Sequence, residues 1–320
     1  MPPITLSQVT HAEITVLVDN YSDLLLEDTQ TVKRCRVWPP KGLMAEHGLA
    51  FLITVYAKEQ PHTIVMDAGI SGLCFNHNAD LMAESMPVRF GMVTHKIDDV
   101  ECMVLSHGHF DHFNGMPQVF ERLKKPVPLV VHPGAFVARR IKLRPDYYVD
   151  MPTFEEAMPA RVGAVLDKRR HASTIADGHI LVTGEVERTT KFETGSPGRL
   201  EANPHGQWKH DSFEDDQAVA FNVKDKGLVV VGGCSHAGII NTIEHVRNIT
   251  RETKIHSVMG GFHLSGASDG LIEPTVAAMK EINPSMVVPM HCTGWKAINR
   301  FAAAMPDQFV LNTVGTSYLF

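Results

Sequence analysis

One segment constrains this chain more than any other. The apolar run Val104-Leu105 stops at Ser106, and His107-Gly108-His109-Phe110-Asp111-His112 follows before Asn114-Gly115 and a helical pattern. Four side chains able to hold a metal or move a proton thus fall within six residues. In extended chain, positions i and i+2 face the same side, so His107 and His109 can share one cation. Asp111 and His112 fall where the chain turns toward the next helix, and they aim at a neighbouring point. Gly108 and Gly115 supply the backbone freedom that so dense a loop needs. One loop at a strand end can therefore serve two cations.

Two cations need more ligands than one loop provides, and the same design recurs downstream. Leu228–Val231 runs into Gly232-Gly233-Cys234-Ser235-His236. Ile255–Met259 runs into Gly260-Gly261-Phe262-His263, and Met286–Pro289 into Met290-His291-Cys292. Loops at one edge of a sheet converge without being close in sequence. His236 and His291 are read as ligands; His263 stays open between ligand, proton donor and substrate contact. Cys234 is either a thiolate ligand or a small buried thiol.

Apolar or β-branched runs at 13–18, 50–56, 63–66, 100–105, 127–131, 179–182, 218–223, 228–231, 255–259 and 286–289 predict strands. Helical patterns lie at 116–125, 238–249, 271–282 and 294–305. Interleaved this way, they predict a mixed α/β chain forming a single domain over 1–320. Residues 12–134 and 217–320 should pack as two sheet-plus-helix layers. The stretch from about 135 to 216, richer in proline and polar clusters, reads as an inserted cap.

The chain's 320 residues carry a net charge of −6 with no basic block, which argues against nucleic acid as a partner. No apolar run approaches the roughly 20 residues of a membrane span. The first residues lack the pattern of a secretory signal. Five cysteines without a C-x-x-C pair fit a reduced cytoplasm. The expected partner is a small-molecule substrate, and nothing speaks against a homo-oligomer. Of the 18 histidines, His11, His47, His62, His77, His95, His171, His179, His205, His210, His245 and His256 carry no pattern separable from surface or packing roles.

Together with Asp67-Ala68-Gly69 closing an upstream strand, the H-x-H-x-D-H loop and the later strand-end histidines resemble the metallo-β-lactamase superfamily. That resemblance implies a four-layer αβ/βα sandwich of two mixed sheets with a dinuclear metal site. Val16-Leu17-Val18-Asp19-Asn20, Gly233-Cys234-Ser235-His236-Ala237-Gly238, Gly260-Gly261-Phe262-His263-Leu264 and Pro289-Met290-His291-Cys292-Thr293-Gly294 resemble, more narrowly, the branch named for dihydropterin-methyl-aminobenzene ribosyl-phosphate synthase. By that likeness His107, His109 and His236 would hold one metal, and Asp111, His112 and His291 the other. Asp67 would accept an imidazole N–H and fix its tautomer, and Cys234 would stand beside the ligands. The bridging carboxylate expected after Leu228–Val231 is replaced by Gly-Gly-Cys-Ser-His.

Imidazole and carboxylate ligation suits zinc, with iron or manganese as substitutes. The chemistry that follows is attack on an ester, lactone, thioester or phosphodiester by a hydroxide generated at the two cations. Asp111 would take the proton and His263 would supply one to the leaving group. Arg139, Arg140, Lys142 and Arg144, followed by Tyr147-Tyr148 and preceded by His132, are either contacts for an anionic, planar substrate or a solvated face with packing anchors. Two other readings stand beside hydrolysis: the bond-forming reaction of the branch's namesake in pterin metabolism, and a metal-binding sensor without turnover.

Overall fold

The computed structural model describes residues 3–90, 96–123, 125–195 and 199–320. His95, Lys124 in the helix expected over 116–125, and residues 196–198 of the expected cap lie outside them.

Two large sheets form the frame. The first holds β1 (His11–Val18), β2 (Val32–Arg34), β3 (Ala50–Ala57), β4 (Gln60–Met66), β5 (Cys102–Val104), β6 (Val127–Val131), β9 (Ala164–Lys168) and β18 (Thr316–Leu319), in the order β2-β18-β1-β3-β4-β5-β6-β9. The second holds β10 (Ser173–Ile175), β11 (Ile180–Val182), β14 (Ala218–Val223), β15 (Gly227–Gly232), β16 (Ile255–Gly261) and β17 (Met286–Met290), in chain order across the sheet. Strands β4, β5, β6 and β9 are parallel, as are β15, β16 and β17.

Period-two alternation explains how the sheets stack. On β15, Val229 and Val231 point into the core shared with Ile14, Val16, Phe51 and Ile53 of the first sheet. Leu228 and Val230 point the other way, against helices α5 (Ile239–Thr250), α6 (Asp269–Ile282) and α7 (Trp295–Ala304) through Ile243, Val276 and Phe301. On the outer face of the first sheet lie α1 (Gly72–Phe90) and α3 (Met116–Leu123), which bury Phe75, Met82, Val119 and Phe120 against Leu17 and Val65. Each such side chain contributes roughly 1.5–3 kcal/mol by leaving water. The product is the four-layer sandwich expected from the sequence. Single turns α2 (Phe110–Phe113) and α4 (Met158–Arg161) complete the helices of the described residues. None of these helices is long and apolar enough to cross a membrane.

The stretch read as a cap divides in two. Strands β7 (Ala138–Arg144), β8 (Tyr147–Asp150), β12 (Leu200–Asn203) and β13 (Lys209–His210) form a third, antiparallel sheet in the order β13-β12-β7-β8. Strands β9, β10 and β11 instead return to the large sheets. β9 and β10 are edge strands with half-open faces, so their sequences lack the continuous apolar run that marks a central strand. Helix α1 was missed for a different reason: its inner face carries the fully buried Asn78, whose amide donates to the carbonyls of Leu17 and Met44 and interrupts the apolar stripe.

One loop of the cap region caps α5. Glu193 accepts the N–H groups of Ile240 and Asn241 at 3.1 and 2.9 Å, while burial pushes its pKa up to about 7. A carboxyl raised on folding adds stability that is fully present below about pH 4.5 and lost as pH rises through about 7. Glu13 and Asp216, both raised to about 7 by burial, act with the same sign. Glu193→Gln should therefore flatten the fall in urea midpoint between pH 5 and 7, removing up to about 1.4 kcal/mol per pH unit. Identical slopes in both proteins would show that Glu193 does not titrate in this window.

Candidate metal centre

Strands β1, β4 and β5 of one sheet, and β15, β16 and β17 of the other, end at one shared edge. Asp67, Ser235, His263 and His291, all just past those ends, sit at φ of 62°, 53°, 43° and 51°. Left-handed backbone at four non-glycine residues is strain that the surrounding structure must enforce, and it gathers here.

Fixed hydrogen bonds do the enforcing. Asp67 accepts the Ser106 N–H and Oγ–H, each at 2.7 Å, and its Oδ2 is 2.7 Å from His112 Nδ1. A Cβ on Gly233 would run into the Ser106 side chain, which accounts for one glycine of the Gly-Gly pair. Across the loop, Asp215 accepts the Gly108 N–H at 2.8 Å while Arg139 Nη1 donates to the Gly108 carbonyl at 3.2 Å. Gln217 donates through its side chain to the Leu105 carbonyl and through its backbone to Ser106. The far strand end is held likewise: Asp19 accepts the His291 N–H at 3.1 Å, and Asn20 Nδ2 donates to the His291 carbonyl at 3.2 Å.

These constraints bring the expected side chains together in two sets. His107, His109 and His236 each place a ring nitrogen within 4.8 Å of the others, with His107 Nε2 and His236 Nε2 3.2 Å apart. Asp111 Oδ2 lies 3.3 Å from His291 Nε2 and 3.8 Å from His112 Nε2. It is also 3.3 Å from His47, which stands in no recognisable pattern. Cys234 Sγ is 3.1 Å from His112 Nε2, and it groups with His107 and His112, with His236 and His263, and with His291 and Cys292. The thiol stands between the two sets.

Electrostatics separate them further. Burial, then repulsion from neighbouring imidazoles, joined at His107 and His109 by Arg139, holds His107, His109 and His236 well below the ordinary imidazole pKa, so all three are neutral. Burial would also depress His112, but Asp67 and Asp111 outweigh it and raise its pKa to about 9. For Asp111 burial alone would favour the neutral acid; His112, His291 and His47 reverse this and hold it well below the usual carboxylate range. His109 Nε2 is buried with no hydrogen-bond partner among the described residues. Converging neutral lone pairs on one side and an ionised carboxylate with imidazoles and a thiol on the other are donors that fit divalent cations.

A cavity of about 690 Å³ opens over these groups. Its floor includes His109, Asp111, Cys234, His263, His291 and Cys292. Ile141, Met151 and Leu200 line it from the third sheet and its margin.

None of the seven residues named for an anionic substrate, His132, Arg139, Arg140, Lys142, Arg144, Tyr147 and Tyr148, lines this cavity. Arg139 is buried in ion pairs with Asp211 at 2.7 Å and Asp215 at 2.6 Å. Arg140 pairs with Glu201 at 2.6 Å and stacks over Tyr148 and Trp208. His132 Nδ1 accepts the Gly134 N–H, and its Nε2 faces Glu185 at 3.3 Å. Tyr147 is exposed on β8. Strand alternation is the reason: on β7, Ile141 faces the cavity while Arg140 and Lys142 both turn to Tyr148 on the opposite face. The residues that sequence reading missed are those that hold the ligand loops, Asp19, Asn20, Asp211, Asp215 and Gln217, together with Cys292 and His47. Asp19-Asn20 directly after a buried strand, and Asp215-Asp216-Gln217 directly before one, were the available signals.

Comparison with known proteins agrees with this geometry. The sequence profile of the Metallo-beta-lactamase superfamily matches residues 95–205. A 7,8-dihydropterin-6-methyl-4-(beta-D-ribofuranosyl)-aminobenzene-5'-phosphate synthase of Methanocaldococcus jannaschii is 29% identical over 272 residues, spanning 83% of this chain and 87% of that protein. An uncharacterized protein of the same organism is 28% identical over 280 residues, or 86% of this chain and 94% of that one. Among solved structures, Tm1679, a metal-dependent hydrolase of the beta-lactamase superfamily, matches with a TM-score of 0.70 at 24% identity, covering 96% of this chain and 98% of that one. Unliganded yeast PDE1 shares the fold at a TM-score of 0.53 and 11% identity, over 98% and 100% of the two chains. With its two facing mixed sheets, flanking helices and histidine-bearing strand ends, the chain has the fold of the metallo-β-lactamase superfamily and matches that superfamily's sequence profile over residues 95–205.

Proposed function

We infer that the chain is a metal-dependent hydrolase acting on an ester-type bond of a small molecule. The observation that carries this reading is the convergence of three neutral imidazoles, His109 on the floor of one cavity with His107 and His236 buried against it, beside an ionised carboxylate with its own imidazole partners. His107, His109 and His236 would hold one cation, and Asp111, His112 and His291 the other, with the Cys234 thiol between them. Bound there, zinc or a similar divalent ion supplies Lewis-acid polarisation of the attacked oxygen and lowers the pKa of water to about 7.

The protein's own groups supply the rest. Asp67 takes the Nδ1–H of His112 and so leaves Nε2 directed at the cavity floor. Asp111, ionised across neutral pH, accepts the proton released by the attacking water. His263 lines the same cavity; burial opposes its protonation, but Cys292 outweighs that and raises its pKa, so it can hold a proton for the leaving group.

The likeness to the M. jannaschii enzyme favours a second reading, synthase-type bond formation on a pterin precursor. One experiment separates the two. Purified protein should contain about two divalent ions per chain by elemental analysis, as a two-metal site requires. It should hydrolyse at least one of a panel of carboxylic esters, lactones, thioesters and phosphodiesters, lose that activity to a chelator and regain it with zinc. Full metal content with no hydrolysis, but product from a dihydropterin and a phosphorylated aminobenzene, would establish the second reading instead.

A further inference from the structure

We propose that the part of the substrate held by this cavity, away from the reacting bond, is uncharged and apolar: the alkyl or aryl portion of a neutral ester or lactone. This substrate class presumes the hydrolytic reading of the cavity floor; what carries it is the roof and walls.

No Lys or Arg among the described residues lines the cavity. The cations nearest in sequence to the roof are engaged elsewhere, Arg139 by two buried aspartates and Arg140 by Glu201. In their place stand Ile141 and Leu200, which are register partners across β7 and β12. Met151, Ile298 and Leu311 continue that surface, and Trp295, 71% exposed, adds an open indole face. Apolar side chains turned into an open cavity are a binding surface for apolar matter. At about 690 Å³ the space suits a small ligand with a medium-length chain or a ring. A phosphate remote from the floor would need a partner on these walls. Of the polar side chains on the lining, Asn20, Tyr21, His47 and Asn312 are engaged by His291, Asp23, Asp111 and Asp19, which leaves the Ser265 hydroxyl and the first turn of α7, at Gly294 and Trp295, as donors that the phosphorylated arm below probes.

The test is calorimetric binding to the metal-loaded protein of ligands that cannot be hydrolysed: cyclopentanones carrying an ethyl, butyl or hexyl chain, and the hexyl compound with a terminal phosphate. Each added methylene should tighten binding about fourfold. The terminal phosphate should weaken the hexyl ligand by about tenfold or more, because it desolvates without a partner. Leu200→Ala should weaken the hexyl ligand about tenfold while leaving the ethyl one within about twofold, since only the longer chain reaches the roof. Ile141→Arg should bring the phosphorylated ligand above the plain one. Affinities flat with chain length, or tighter binding of the phosphorylated ligand by the unaltered protein, would overturn the proposal, and neither depends on a variant folding. Binding needs no turnover, so the outcomes are separable. Chain-length dependence without hydrolysis of any ester overturns only the hydrolytic reading, and hydrolysis with flat binding overturns only the apolar class.

Discussion

Arg139→Ala is expected to lower the unfolding free energy by about 3–5 kcal/mol, the cost of leaving buried charge without its partner. The guanidinium is 4% exposed and pairs with Asp211 and Asp215, themselves 4% and 1% exposed, so water cannot reach the carboxylates once the cation is gone. Burial opposes the guanidinium's charge, but the two carboxylates outweigh it and raise its pKa, the mark of a pair each of whose members depends on the other. The damage should not stay local. Arg139 and Asp215 grip the Gly108 peptide from its carbonyl and its N–H, and that peptide lies between His107 and His109. The variant should therefore also bind metal more weakly, by about 10–100-fold, as loss of a group that orients ligands does elsewhere. Adding Asp211→Asn and Asp215→Asn should recover much of the stability, because neutral amides can stay buried with hydrogen bonds. Urea titrations of the three proteins decide the matter: a loss under about 1 kcal/mol would class the network with exposed ion pairs.

That network shows where reading the sequence stops. Arg139 stands in a run with Arg140, Lys142 and Arg144, and in one dimension such a run looks like a cationic face. Its partners lie 72 and 76 residues away, and β7 alternation buries Arg139 while sending Arg140 to the other side of the third sheet. Likewise, Asp19 meets His291 across 272 residues, and His47 reaches Asp111 from a loop with no pattern at all. The convergence of the histidine-rich loop was legible because its pattern is local: the spacing of His107, His109, Asp111 and His112 and the strand before them are both written in consecutive residues. The two halves of the sandwich were legible for a similar reason, since central strands such as β15 are apolar on both faces. Edge strands, and helix α1 with its buried Asn78, carry no such mark.

Asp111→Asn should have the largest effect on chemistry. The substitution keeps the shape of the side chain and removes its charge and its basicity. Three imidazoles, those of His47, His112 and His291, lie within 4 Å of its carboxylate, whereas Asp67 meets His112 only at Nδ1 and Asp19 meets His291 at its backbone N–H. With the charge gone, the group of His112 and His291 loses its anionic partner, while His107, His109 and His236 still present three neutral imidazoles. Elemental analysis after dialysis should accordingly find one cation retained and the other lost. Turnover of whichever substrate the panel identifies should fall by about 10²–10⁴, the usual contribution of a positioned proton acceptor. Asp67→Asn makes the informative comparison, because Asp67 touches His112 from the side away from the cavity. It should weaken metal binding about 10–100-fold, yet at saturating zinc it should recover most of its turnover. If zinc restored Asp111→Asn equally well, Asp111 would be a ligand only, and the proton would have to leave through His47 or His263, imidazoles on the cavity lining whose pKa values are raised.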